Sequence, residues 1–391
     1  MAIRPRPAIR LTISALLAYV CYHSSIACSW ATSTSDSLGA YSWGAAFAVV
    51  LLGVPLLLWL DDPMKWRYRD EAAAPETHPL WKRIYYAMCI IWNFRSIGWS
   101  TQVDNVPTPT TKSRAVFLQQ TAVAWTKAVL AADFAQTYIQ LQPLFELQGT
   151  PAFPTGLRGY AMSCACLLAY GAKAYANLRV RYLSLAFVCV ATGLGSADPE
   201  MWPDPNGRWA DAYTVRRFWG RTWHQNVRRH LSACGKAVAA ALGFKKGSNA
   251  SSYSQLYTAF FLSGLFHCFG DLAIGAPFGS SMPFFVANAA AISFEDAVIA
   301  VGRRLGVASN RQPSENTNTQ EDGKGKEAPP PRWVRVVGYA WVFVWFSYAL
   351  RLFVWWAVPY GMGKTRSNVV PIEVVQRFAP ESLLSLMKAS L

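Results

Sequence analysis

Long apolar runs alternate along this chain with short stretches that are basic and punctuated by tryptophan and proline. The cleanest run covers residues 40–60, twenty-one residues without a charge, and ends at Asp61-Asp62-Pro63. Proline has no amide hydrogen to continue a helix, so the spacing predicts a helix stop there. Comparable runs cover 11–30, 115–141, 159–177, 180–195, 253–275, 281–301 and 333–358. Roughly 20 apolar residues cross a bilayer as a helix, and most of these runs come close to that length. The pattern predicts an all-α, polytopic integral membrane protein.

The stretches between the runs fix an orientation. Residues 61–83 hold Lys65, Arg67, Arg69, Lys82 and Arg83, and basic loops stay on the cytoplasmic side. Residues 80–99 mix Trp81, Trp92 and Trp99 with Lys82, Arg83 and Arg95, a pattern expected of an amphipathic helix lying at the interface. Within 115–141, Lys127 and Asp133 stand six residues apart, on different helix faces, and each is expected to face the protein interior. Residues 150–158, with Pro151, Pro154 and Gly156, are expected to form a loop on the far side. The polar tract 198–247 is expected to carry a basic, aromatic helix over 209–230. Residues 276–280 form a short uncharged turn between two spans.

Three regions follow from this pattern. Residues 1–302 hold the membrane helices, with the basic aromatic tract at 198–247 and a histidine-bearing helix at 253–275. Residues 303–332 are low in complexity and end in Pro329-Pro330-Pro331. Such a segment buries too little apolar area to offset its chain entropy, and a disordered cytoplasmic linker is expected. Residues 333–391 hold a last span and a tail whose 371–391 stretch reads as an amphipathic helix. No internal repeat is visible.

Composition sharpens the picture in two places. Charged residues make up 15% of the 391, against about 25% in ordinary soluble domains. The mean hydropathy of +0.15 is modest for a multi-pass chain because the loops are genuinely polar. The net charge of +15 lies in short loops between apolar runs, not on one soluble face, which argues against nucleic acid and leaves membrane lipids or an anionic substrate as partners. Eight cysteines show no Cys-x-x-Cys pair, so neither a zinc site nor a disulfide framework is expected.

Of five histidines, two stand where a histidine is costly or conspicuous. His267 lies fourteen residues into the run that begins at Tyr253, roughly 21 Å along a helix and so deep in a bilayer about 30 Å thick. An ionisable ring at that depth points to function. Ser263, Gly264, Gly270 and Asp271 share its helix face; the two glycines leave room for a substrate, and Asp271 is placed to accept from one ring nitrogen and fix the tautomer. The second histidine, His224, sits in Phe218-Trp219-Gly220-Arg221-Thr222-Trp223-His224-Gln225. Arg217, Arg221 and Arg228 suit phosphates, and Trp219 and Trp223 suit stacking on a base. The same residues equally fit an interfacial helix meeting lipid headgroups.

The Phe-Trp-Gly-Arg-Thr-Trp-His-Gln stretch, followed some forty residues on by Phe-Phe-Leu-Ser-Gly-Leu-Phe-His, resembles the wax-synthase-like branch of the membrane-bound O-acyltransferase family. Arg95-Ser96-Ile97-Gly98-Trp99 with Asn105-Val106-Pro107 is similar to an early signature of that branch. The resemblance spans residues 80–358 and is nearest to fungal acetyltransferases of terpenoid and meroterpenoid pathways. It implies about eight to ten transmembrane helices around a reaction tunnel, in the endoplasmic reticulum. It implies acetyl-CoA as co-substrate, bound by Arg217, Trp219, Arg221, Trp223, Gln225 and Arg228, with no metal or prosthetic group. The family's membrane histidine corresponds to His267, the expected general base towards the hydroxyl of a hydrophobic polycyclic alcohol. Much of the family carries asparagine where this chain has His224, which leaves open whether His224 does chemistry or positions the donor. His224 and Gln225 are both candidates to stabilise the oxyanion. A long-chain wax or sterol ester synthase, a proton-coupled transporter and a non-catalytic scaffold are the alternatives.

Overall fold

The computed structural model describes residues 4–31, 37–69, 71, 73–107, 111–145, 155–306 and 330–363. Most of the expected linker, the tail helix at 371–391 and the start of the 150–158 loop lie outside the described residues. Apart from one bridge between Tyr68 and Trp99, the described residues are helices and loops. Helix α1 covers Pro7–Ala31, α2 Ser37–Val54, α3 Leu80–Trp92, α4 Arg114–Leu141 and α5 Gly156–Thr192. After a loop come a single turn, α6 (Val215–Arg217), then α7 (Arg228–Ala241), α8 (Asn249–Ala273), α9 (Met282–Arg304), α10 (Arg332–Ala349) and the short α11 (Arg351–Val354). Among the described residues, five helical stretches are long and apolar enough to cross a membrane: Pro7–Ser29, Ser37–Leu60, Asn249–Ala273, Met282–Arg304 and Arg332–Tyr360. The chain is an all-α polytopic membrane protein.

Element edges follow local chemistry. Helix α2 widens at Pro55 into a π turn, Pro55–Leu60, and ends before Asp61. Pro55 brings no amide hydrogen to the i−4 ladder, and a wider turn accommodates that loss. Helix α8 starts where the Ser248 hydroxyl accepts the Ser251 amide, a side-chain N-cap. Ser281 ends the tight turn that leads into α9, with Pro283 in its first turn.

Two sequence expectations are corrected. The runs 159–177 and 180–195 form one helix, the 37-residue α5, not two spans. Lys173, Arg179 and Arg181 mark no turn because lysine and arginine are good helix formers, and neither proline nor glycine stands between residues 172 and 192. Lys173 is buried and donates to Gln136 Oε1 of α4, while Arg179 Nη1 meets Asp204 Oδ2 at 2.5 Å. The expected helix over 209–230 is likewise broken: a 3₁₀ turn at Trp209–Asp211, α6, a π turn at Phe218–Thr222, and an irregular stretch before α7. The backbone there is bound by outside partners. Glu295 of α9 accepts from the Val215 and Arg216 amides, and Pro205 accepts from the Gln225 amide.

Small residues set the packing that matters for the site. Helices α2 and α8 cross at Gly44 and Gly270. A Cβ on Gly44 would lie 2.4 Å from the Phe269 carbonyl oxygen, and one on Gly270 would lie 2.8 Å from the Tyr41 ring. Close approach at glycine is a familiar way to pack membrane helices. Helices α4 and α5 meet the rest at both ends: Ile139, Leu144, Phe145, Leu167 and Tyr170 join Leu38, Val354 and Val358 in one buried cluster, and Phe117, Ala186 and Val190 pack with Trp202 in another. Between these clusters, residues of α2, α4, α5, α8, α9 and α10 line a cavity of about 1360 Å³.

Candidate active site

His267 projects from the C-terminal half of α8 into the wall of this cavity. Its ring stacks on Phe285 of α9, with centroids 4.7 Å apart and planes at 24°, and meets Phe353 of α11 edge-on. Its Nδ1 lies 3.0 Å from the Tyr41 hydroxyl, which the Gly270 crossing brings against α8. Tyr41 Oη is also 2.8 Å from Ser281 Oγ, and Ser281 Oγ donates to Asp271 Oδ1 at 2.5 Å. The expected direct contact between His267 and Asp271 is therefore absent: the carboxylate instead accepts from the turn at the start of α9, from Gly279 N at 3.2 Å and Ser281 N at 3.0 Å. Residues four apart share a helix face only loosely, and these donors pull the short Asp271 side chain away from the ring.

The other residues expected beside His267 divide. Ser263 lines the cavity. Gly264 and Gly270 give their space to protein, to Met282 and Tyr41 respectively, and not to a substrate. Asp271 is fully buried and off the cavity wall.

The second histidine reaches the same cavity from the loop before α7. The loop is held rigidly. Trp219 Nε1 donates to Asn288 Oδ1 of α9 at 2.9 Å, and Trp223 stacks on Phe218 with centroids 5.7 Å apart. Gln225 is buried and spends both amide hydrogens on the chain, at Trp219 O (3.0 Å) and Trp223 O (2.6 Å). Its Oε1 accepts from Arg228 Nη1, which also donates to Gly220 O at 2.8 Å. His224 differs: its Nδ1 is buried yet meets no hydrogen-bond partner among the described residues. Burial pushes its imidazole down from the usual 6.5 to about 4, so the ring is neutral at pH 7.

Of the arginines proposed for phosphate, only Arg228 lines the cavity. Arg217 is bound to Asp211, through the backbone oxygen at 3.0 Å and the carboxylate at 3.1 Å, and lies over the Tyr213 ring. Arg221 is exposed and outside the lining. Trp219 and Trp223 both line the cavity, although each is packed among aromatic neighbours. Besides Lys127, whose inward direction was expected, the sequence reasoning assigned no site role to Arg179, Arg181 and Arg216, which also line the cavity. Lys127, Arg179, Arg181, Arg216 and Arg228 are five Lys/Arg residues in the lining, and no Asp or Glu is among the described lining residues. Of the two charges expected to face inward from α4, Asp133 is buried and Lys127 faces the cavity. Among the described residues, no three His, Cys, Asp or Glu side chains converge as a metal site.

The early signature around Arg95 turns out to brace this loop. Arg95 is buried and donates to Asp204 O (2.8 Å), Pro203 O (2.5 Å) and Tyr182 Oη (2.7 Å). The braced 203–208 segment in turn receives the histidine loop, with Gln225 N donating to Pro205 O and Gly207 N to Thr222 O. Gly207 has no alternative, since a Cβ there would fall 1.8 Å from the Arg221 oxygen.

The profile of the membrane bound O-acyl transferase family matches residues 202–287, a segment that holds both cavity histidines. Acetyltransferase ple2 of Rhodocybe pseudopiperita is 33% identical over 81% of this chain and 78% of its own length. The chain belongs to the membrane-bound O-acyltransferase family. Acetyltransferase eriL of Hericium erinaceus is 27% identical over 82% of this O-acyltransferase and 78% of its own length. O-Mevalon transferase yanI of Aspergillus niger is also 27% identical, over 67% of this chain and 65% of its own. No solved structure matches. The family's defining segment thus coincides with the Arg95-braced loop, α7, α8 and the first turns of α9.

Proposed function

We propose that this membrane O-acyltransferase moves an acetyl group from acetyl-CoA to a hydroxyl of a hydrophobic polycyclic alcohol of the terpenoid or meroterpenoid class. One observation carries the proposal: His267 and His224 face a single large cavity whose walls are apolar and whose charged lining is entirely basic. Basic side chains suit the phosphates of a CoA thioester, and Arg228, Arg181 and Lys127 are the candidates, while Arg179 and Arg216 are paired with the carboxylates of Asp204 and Asp296. The aromatic and aliphatic remainder suits a bulky apolar acceptor. Relatives named acetyltransferases favour the acetyl donor.

In the proposed reaction His267 takes the proton of the acceptor hydroxyl while its oxygen bonds to the thioester carbonyl carbon. The carbonyl oxygen gains negative charge, and a neutral donor beside it lowers the barrier. His224 serves that role better than Gln225, because both Gln225 amide hydrogens are already committed to Trp219 and Trp223. The carbon–sulfur bond then breaks, and the CoA thiolate takes the proton held by the His267 imidazolium. The setting carried by this proposal is the endoplasmic reticulum membrane.

The test is CoA-thiol release by membranes holding wild type or His267→Ala at equal protein level. The donors are acetyl-CoA, palmitoyl-CoA and a mevalonyl thioester, each offered with a panel of terpenoid alcohols. Acceptor-dependent release with acetyl-CoA, lost in the variant, is the expected result. Release with palmitoyl-CoA alone would assign a wax or sterol ester synthase, and activity surviving in His267→Ala would remove His267 as the base.

A further inference from the structure

The base proposed above needs a free ring nitrogen facing the substrate, so its tautomer decides whether it works. Among the described residues the ring's hydrogen-bond partner is Tyr41, and the chain of hydroxyls behind it fixes that tautomer. Asp271 Oδ2 accepts from the Gly279 and Ser281 amides, and Oδ1 accepts from the Ser281 hydroxyl. Three donors on one buried carboxyl group are the environment of a carboxylate, an acceptor only. A serine hydroxyl has one hydrogen. With that hydrogen on Asp271, Ser281 Oγ can only accept at its 2.8 Å contact with Tyr41, so Tyr41 is the donor there. Tyrosine also has one hydroxyl hydrogen, and it is now spent. At the 3.0 Å contact with His267 the Tyr41 oxygen therefore accepts, and the hydrogen must sit on His267 Nδ1.

We infer that Asp271 sets the tautomer of His267 from a distance through Ser281 and Tyr41, leaving Nε2 as the unprotonated nitrogen on the cavity side. Tyr41, Ser281 and Asp271 are positioning residues, with no contact to substrate required of any of them. Every member of the chain is buried: Tyr41 is 4% exposed, and Ser281 and Asp271 are fully covered. The Ser281–Asp271 link is closed to water, and the direction of each bond is inherited from the carboxylate at the end. The inference concerns His267 as general base and so deepens the proposed function, but its physical claim stands apart from activity.

The experiment reads both. Solid-state NMR of the full-length protein in lipid, with ¹³C,¹⁵N-labelled histidine, distinguishes the two neutral tautomers by correlating each ring nitrogen with its neighbouring carbons. His267→Ala assigns the signal among the five histidines. In wild type at pH 7 the His267 signal is expected to be protonated on Nδ1 alone. Tyr41→Phe and Ser281→Ala are each expected to give mixed tautomers, while Ser281→Thr, which keeps the hydroxyl, preserves the wild-type signal and guards against misfolding. In the acyl-transfer assay, Tyr41→Phe is expected to lower kcat about 10- to 100-fold, the usual cost of removing the partner that orients a functional imidazole, with KM for the donor unchanged. An Nε2–H tautomer in wild type, or Nδ1–H persisting in both Tyr41→Phe and Ser281→Ala, would overturn the relay. An intact relay in a protein that releases no CoA thiol would overturn the proposed function alone.

Discussion

The histidine loop depends on Asn288, and the dependence is measurable. Asn288 lies fully buried on α9, and its Oδ1 accepts from two indoles, Trp219 Nε1 at 2.9 Å and Trp345 Nε1 at 3.0 Å. Its Nδ2 donates to Phe284 O at 2.8 Å. One amide thus ties the loop carrying His224 to both α9 and α10. Asn288→Leu keeps the bulk and removes the shared acceptor, leaving the hydrogens of two half-buried indoles unpaired. An unpaired buried donor costs about 1–3 kcal/mol in a soluble interior. Links between membrane helices average nearer 0.6 kcal/mol, with a ceiling of about 1.7 kcal/mol. Two such losses amount to roughly 1–3 kcal/mol. The assay is unfolding in mixed micelles under increasing sodium dodecyl sulfate, followed by tryptophan emission. A double-variant comparison isolates the cause: in a Trp219→Phe, Trp345→Phe background, Asn288→Leu should be nearly neutral, because no indole hydrogen remains to be orphaned. An unchanged midpoint in the single variant, or an equal loss in both backgrounds, would refute the assignment.

Two more expectations follow from the same region. Burial pushes the imidazoles of His224 and His230 to about 4, against 6.5 when free, so between those values the unfolded chain binds protons that the folded one refuses. Stability is then complete above pH 6.5 and falls as the pH drops towards 4, by up to about 1.4 kcal/mol per pH unit for each ring. His230, 4% exposed, should contribute more fully than His224 on the cavity wall. The slope should shrink in His230→Gln, and a flat profile between pH 7 and 5 would contradict the burial argument. Arg95→Lys keeps the charge but loses the fork that spans Asp204 O, Pro203 O and Tyr182 Oη, so at least one buried link is lost at about 1.5–3 kcal/mol. Thermal unfolding in detergent checks it, and an unaltered midpoint would show that the brace is dispensable.

How much of this was legible in the sequence depends on how far the cause lies from the residue. Span edges set by neighbours were readable: Asp61-Asp62-Pro63 ends the second span, and the runs at 253–275 and 281–301 fall within a few residues of α8 and α9. The unity of α5 was hidden because charge usually marks a loop, while here Lys173 and Arg179 find partners on α4 and in the 203–208 segment. The break inside 209–230 was hidden for a related reason: its amides answer to Glu295 and Pro205, both distant in sequence. Tyr41 gave no signal at all. It stands in a clean apolar run, and only the glycine crossing of α2 and α8 turns it into the partner of His267.

The two histidines are supported in opposite ways, and the difference fits different tasks. His267 has one nitrogen tied to a buried chain that ends on a carboxylate, which is how a ring is held in one orientation and one protonation pattern. His224 sits on a braced loop but keeps a buried nitrogen without any partner among the described residues. An orphaned polar atom in a buried wall is costly, and a native fold tolerates it where something else supplies the missing bond. A bound acyl donor whose carbonyl oxygen approaches that wall would do so. The same logic explains why Gln225, next in sequence, is saturated: it fixes the loop so that its neighbour need not. His224→Asn keeps a neutral donor of shorter reach and should retain measurable acyl transfer, whereas His224→Leu should lose about 10²-fold or more in kcat, the cost of removing one oxyanion donor. Equal activity in the two variants would show that His224 shapes the cavity wall and leaves the oxyanion to another group.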